Sequence, residues 1–168
     1  MTVDVEALLS SVPDPELPFL TIADLGILRG WHVHGDTVRV QLTPTYSGCP
    51  AFDTIQADVI AVLQHHGFSD VLVEKVLSPP WTTDWLSDKG RAAMAEHGIA
   101  PPLPFFELSA PGVAPTTPRA DNSGGAALAC PRCGSRDTEE LSRFGATACK
   151  ALHRCRECRE PFEHFKAH

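Results

Sequence analysis

Two Cys-x-x-Cys pairs near the end of the chain, Cys130-Pro-Arg-Cys133 and Cys155-Arg-Glu-Cys158, carry the clearest chemistry in the 168 residues. Each pair can wrap an ion as a knuckle, with backbone amides left to hydrogen-bond the thiolates, and Gly134 supplies the tight turn such a knuckle needs. Four thiolates close a tetrahedron and leave no open position, so the expected role is structural. In a reducing compartment the expected ion is zinc, although a rubredoxin-like iron uses similar spacing. Cys149, His153 and His164 lie near the second pair. Each could replace a cysteine or hydrogen-bond a ligand from behind, but the paired cysteines already complete a site, and Cys149 reads as a small buried residue.

A second thiol stands apart, in Thr43-Pro44-Thr45-Tyr46-Ser47-Gly48-Cys49-Pro50. Pro50 suits the first position of a following helix, which makes Cys49 its cap and aims unpaired amides and the positive dipole end at the sulfur. That setting is expected to lower the thiol pKa and favour a metal-binding or nucleophilic thiolate; an inert capping thiol is the alternative. Asp14 and Glu16, around a proline in a loop, either face Cys49 or cap local backbone. Asp24 and Asp53 read as capping or solvated, His65 and His66 as cations at a helix end, and Trp81 and Trp85, with Asp84 between them, as a loop packed on the core, with an exposed recognition surface as the alternative.

The elements that position these residues follow from periodicity. Val5, Leu8 and Leu9 share one face of a short helix over residues 3–11. Residues 27–33 and 37–43, joined by Gly35, alternate as an antiparallel hairpin. Phe52, Ile55, Val59, Ile60, Val62 and Leu63 give the strongest helix, 51–66, with Gly67 as its stop signal. Residues 71–76 are β-branched and read as a third strand, and Ser87-Asp88 opens a helix through Glu96. The order α-β-β-α-β-α predicts an α+β fold: a compact two-layer α/β domain over 1–107, a flexible Pro/Ala/Gly/Thr linker over 108–128, and a small zinc ribbon over 129–168. About forty residues bury too little surface to fold without such a staple.

Net charge is −7, but it is unevenly spread. From Cys130 onward there are 8 Lys+Arg against 6 Asp+Glu, leaving 6 against 15 before it. The first part therefore repels phosphate backbones, and nucleic acid is not the expected partner. No apolar run approaches the roughly twenty residues that span a bilayer, and no charged leader with an apolar core opens the sequence. A soluble, cytoplasmic protein is expected. Ser-His-Asp groupings, phosphate-binding glycine loops and Rossmann fingerprints are lacking, so autonomous catalysis is not the leading reading.

Asp14-Pro15-Glu16-Leu17-Pro18, Ile22-Ala23-Asp24-Leu25-Gly26 and the Thr43–Pro50 stretch resemble the N-terminal motifs of the PaaD family of the phenylacetyl-CoA epoxidase, or phenylacetate-CoA oxygenase, system. In the tail, Cys130-Pro-Arg-Cys133-Gly, Phe144-Gly145-Ala146-Thr147, Cys149-Lys150-Ala151-Leu152 and Glu160 to Lys166 resemble the same family. The first domain is also similar to SufT-like iron–sulfur assembly proteins. This resemblance implies that Asp14, Glu16, Thr45 and Cys49 line a functional surface, that iron or an iron–sulfur cluster is held transiently at Cys49, and that the oxygenase and iron–sulfur reductase subunits are partners. Self-association is left open.

Three function classes follow. The first is a non-catalytic accessory protein assisting iron–sulfur or iron centre assembly in the oxygenase, with the ribbon as a docking module. The second is a thiol-dependent redox enzyme using Cys49, which lacks a resolving cysteine nearby in sequence and an identifiable base. The third is a zinc-ribbon adaptor binding protein or nucleic acid, supported only by the arginines of the tail.

Overall fold

The computed structural model describes residues 3–102 and 128–166. They fall into two compact units, residues 1–90 and 91–168. The expected linker, 108–128, lies outside the described residues except for Leu128.

In the first unit, α1 (Val5–Ser10) starts where the Asp4 side chain accepts the Ala7 amide, an ordinary N-cap bond. Strands β1 (Leu28–His34) and β2 (Thr37–Leu42) form the expected antiparallel hairpin, and β3 (Asp70–Lys75) runs parallel to β2. A parallel neighbour needs a crossover, and α2 (Ala51–His65) supplies it. Helix α2 buries Phe52, Ile55, Val59 and Leu63 along one face, while β2 buries Val38, Val40 and Leu42 at period two. The opposite face of the sheet is polar: Arg39 pairs with Glu74 at 3.3 Å and Thr37 Oγ1 donates to Asp70 at 3.2 Å. One covered and one wet sheet face make a two-layer α+β unit. A short 3-10 turn (Thr83–Trp85) follows, and α3 (Asp88–Glu96), over the residues expected from sequence, begins in the first unit and continues into the second.

The loop between α1 and β1 contributes heavily to this core through Val12, Leu17, Leu20, Ile22, Leu25 and Ile27. Asp24 ties it down, accepting from Thr21 Oγ1 at 2.9 Å and Ser87 Oγ at 3.0 Å. Trp81 is buried and donates from Nε1 to the Leu25 carbonyl at 2.9 Å, as a loop packed on the core requires. Gly26 has φ +69, and a Cβ there would lie 2.6 Å from both Cβ and the carbonyl oxygen of Trp85. Only glycine fits this turn.

The second unit holds a four-stranded sheet in the order β4-β7-β6-β5, built from β4 (Ile99–Ala100), β5 (Thr138–Ser142), β6 (Lys150–Cys155) and β7 (Pro161–Phe165). Strands β5, β6 and β7 are antiparallel neighbours, and β4 adds in parallel to β7. Sequence reading placed Ile99 and Ala100 in the first domain. Two residues are too short for a periodic signal, and their pairing with β7 is visible only in three dimensions. The small core gathers Ala100, Cys130, Cys155 and Phe162, with Leu128 and Cys158 packed against it.

Candidate functional site

The four tail cysteines sit on two matching turns. Cys130 N–H donates to the Ser135 carbonyl at 2.8 Å, and Cys155 N–H donates to Glu160 at 3.0 Å, five residues on in each case. The residue after each pair has positive φ, Gly134 at +77 and Arg159 at +64. These turns bring the four Sγ atoms within 4.8 Å of one another, with Cys130–Cys158 at 3.8 Å and Cys133–Cys155 at 3.6 Å. A tetrahedral zinc with bonds near 2.3 Å sets its sulfurs about 3.8 Å apart, so the residues fit such an ion without rearrangement. Amides of Cys158 and Glu157 aimed at Cys155 help bring its thiol down to about 7, against the opposing effect of burial. Among the described residues no other group of three or more potential ligands comes this close.

The three neighbours lie elsewhere. Cys149 is buried, as expected, and its Sγ is 3.0 Å from Thr147 Oγ1. His164 Nδ1 meets the Ala100 carbonyl at 3.2 Å, and burial brings its pKa down to about 4. The His153 ring stacks on Phe162, and its Nε2 lies 3.9 Å from a Glu140 carboxylate oxygen.

In the first unit, Asp14 is buried in the loop after α1, and its Oδ1 accepts the amides of Glu16 at 2.9 Å and Leu17 at 2.8 Å. Those bonds shape the Asp-Pro-Glu turn, and the charges of Glu16 and Asp14 both act on the Cys49 thiol. Thr45 hydrogen-bonds the same thiol through its side chain, and the Ala51 amide reaches it from the first turn of α2. The tertiary fold thus brings together the four residues singled out in sequence, from the 14–16 loop and the turn before α2.

Two sequence expectations for Cys49 need correction. Pro50, with φ −69 and ψ −23, occupies the cap position of α2, so Cys49 precedes the cap. The thiol pKa is raised, not lowered. Partial burial is the largest cause; the Ala51 amide and the Thr45 hydroxyl oppose it, and the nearby carboxylates Glu16 and Asp14 reinforce it. Donation from the Ala51 amide and Thr45 lowers the thiol pKa as expected of a helix start, but desolvation and the charge of a loop more than thirty residues away outweigh it.

Fold and sites together define a class: an iron–sulfur-assembly-type α+β domain followed by a four-cysteine zinc ribbon. Residues 2–74 match the family described as iron-sulfur cluster assembly protein, and residues 114–166 match the PaaD zinc beta ribbon domain. A crystal structure of a domain of unknown function from Bacillus anthracis aligns with TM-score 0.50 and 29% identity, covering 54% of this chain and 87% of that one. The "Fe-S protein maturation auxiliary factor" of Porphyromonas gingivalis (strain ATCC BAA-308 / W83) is 35% identical over 98 residues, which are 57% of this chain and 90% of that protein. Over 163 residues the chain is 43% identical to the putative 1,2-phenylacetyl-CoA epoxidase D-subunit of Escherichia coli (strain K12), covering 97% of this chain and 91% of that protein. It belongs to the PaaD family, the D-subunits of 1,2-phenylacetyl-CoA epoxidase. Among the described residues no helix is long and apolar enough to cross a membrane.

Proposed function

We propose that this chain is a cytoplasmic accessory subunit of the phenylacetyl-CoA epoxidase system in aerobic phenylacetate degradation. It assists assembly or insertion of an iron–sulfur or iron centre rather than catalysing epoxidation. The observation that carries this reading is the convergence of Cys49, Thr45, Asp14 and Glu16 in an iron–sulfur-assembly-type domain. The clients are the oxygenase and iron–sulfur reductase subunits, and the ribbon is the docking module.

The raised thiol pKa suits a transient carrier. At rest the sulfur keeps its proton; an arriving ferrous ion displaces that proton to solvent as the iron–sulfur bond forms, and the proton returns when the ion leaves. No electron changes hands. Asp14, Glu16 and Cys49 are not drawn into a tight cluster like that of the tail, so a client must complete the coordination sphere, which favours release. A resting protonated thiol also weighs against a Cys49 nucleophile.

The test is metal analysis of protein purified without chelators or added metal, together with iron loading of the client subunits in cells. Cys130→Ala is expected to lose zinc. Cys49→Ala is expected to keep its fold and zinc while lowering client iron. Normal client loading in Cys49→Ala would sink the proposal.

A further inference from the structure

Phe144 is 68% exposed, yet the backbone that carries it is pinned. Ser142 Oγ accepts from the Phe144 amide at 3.2 Å and donates to its carbonyl at 2.9 Å. Gly145 N–H donates to the Lys150 carbonyl at 2.7 Å, and Ala146 N–H donates to Glu163 Oε1 at 3.2 Å. A Cβ at Gly145 would lie 3.0 Å from that same Glu163 oxygen, so the loop rides directly on the strands behind it. Held in this way, the backbone beneath the exposed ring needs no further ordering by a partner that covers it.

Cations flank the ring, while the carboxylate that meets its loop, Glu163, is already paired with Lys150. Lys166 Nζ lies 4.7 Å from the ring centroid and donates to the Arg143 carbonyl at 3.0 Å. Arg132, Lys150, Arg154 and Arg156 all have carboxylate partners. Among the described residues neither Arg143 nor Lys166 has one within ion-pair range. Leu141, 49% exposed, lies three residues earlier on β5, the edge strand of the sheet.

We infer that Phe144, with Arg143, Lys166 and Leu141, is the docking face of the ribbon for an acidic protein surface bearing an apolar pocket, carried by another component of the epoxidase complex. The inference rests on the accessory-subunit reading above. An aromatic anchor flanked by unpaired cations gains from both apolar burial and opposite charge. A nucleic acid would meet the same cations but offers no apolar pocket for the ring and Leu141, which an acidic protein surface can.

The experiment titrates the full-length, zinc-loaded chain against each purified oxygenase and reductase subunit, at low and high salt, with a single-stranded RNA oligonucleotide as a separate probe. One subunit is expected to bind. Phe144→Ala should weaken that binding roughly tenfold or more, and Arg143→Glu with Lys166→Glu should weaken it and flatten its salt dependence. Zinc content is the control for folding; if the charge-reversed variant loses zinc, Phe144→Ala decides. A subunit that binds wild type and Phe144→Ala equally overturns the docking face alone. Failure of every subunit to bind the wild type overturns the accessory-subunit reading with it, and binding of the RNA in place of any subunit overturns the acidic-protein assignment.

Discussion

Lys150 and Glu163 form a 2.6 Å ion pair between β6 and β7, with the lysine side chain 7% exposed and the glutamate 28%. A pair this sheltered is costly to break from one side, because the surviving charge keeps its desolvation cost without its partner. Glu163 also accepts from Ala146, so the pair anchors the 144–147 loop.

Lys150→Met is therefore expected to destabilise the ribbon by about 3 kcal/mol, and Lys150→Met with Glu163→Leu to recover much of that loss. Denaturant unfolding of the zinc-loaded chain, followed by amide signals of β6 and β7, measures both. Equal stability of the single variant and wild type would show that the pair contributes nothing.

Arg159 holds φ +64 at the place where the first knuckle has Gly134. A side chain in that region costs about 1 kcal/mol, which glycine avoids at some entropic expense. Arg159→Gly should stabilise the ribbon by roughly 0.5 kcal/mol. Its midpoint of thermal unfolding at fixed zinc checks the sign, and a fall in that midpoint would contradict the argument.

Gly26→Ala should have the opposite outcome. Its Cβ would meet the Trp85 backbone at 2.6 Å in a left-handed conformation, so both turn and neighbour must shift. A loss of roughly 2 kcal/mol or more is expected in the first unit. An unchanged denaturation midpoint would mean that the approach to Trp85 is relieved without cost.

Asp24 supplies a pH test. Burial raises its pKa, but hydrogen bonds from Thr21 and Ser87 and the charge of Lys89 outweigh it, and the net shift is downward. A carboxylate with a depressed folded pKa stabilises fully above its unfolded value, near 4, and loses that contribution as pH falls through the folded pKa. Asp24→Asn should therefore be less stable than wild type at neutral pH, and the gap should narrow below about pH 4. A pH-independent gap would locate the effect in packing rather than charge.

Periodicity made most of the first unit legible. The apolar positions of α2 and the alternation along β2 are local patterns, and they appear where expected. Strand β4 was not legible, because two residues show no period and their partner lies more than sixty positions away. At Cys49 the direction of the pKa shift was not legible, and whether Asp14 and Glu16 meet the thiol was left open by the residues themselves. Donor positions follow from a turn and a helix start, whereas burial and the approach of a distant loop do not.

The sequence by itself determined the candidate ligand set of the tail, since two Cys-x-x-Cys pairs specify donor type, number and knuckle geometry within a few residues. It also determined the order of the three helices and the first three strands, because helical and strand periods are properties of short windows. The tertiary structure alone decided which distant residues meet. It set the charges of Asp14 and Glu16 against a half-buried Cys49, and it buried Lys150 against Glu163 while fixing Phe144 in solvent. Desolvation and long-range charge depend on the whole surroundings of a group, and those exist only once the chain has closed around it.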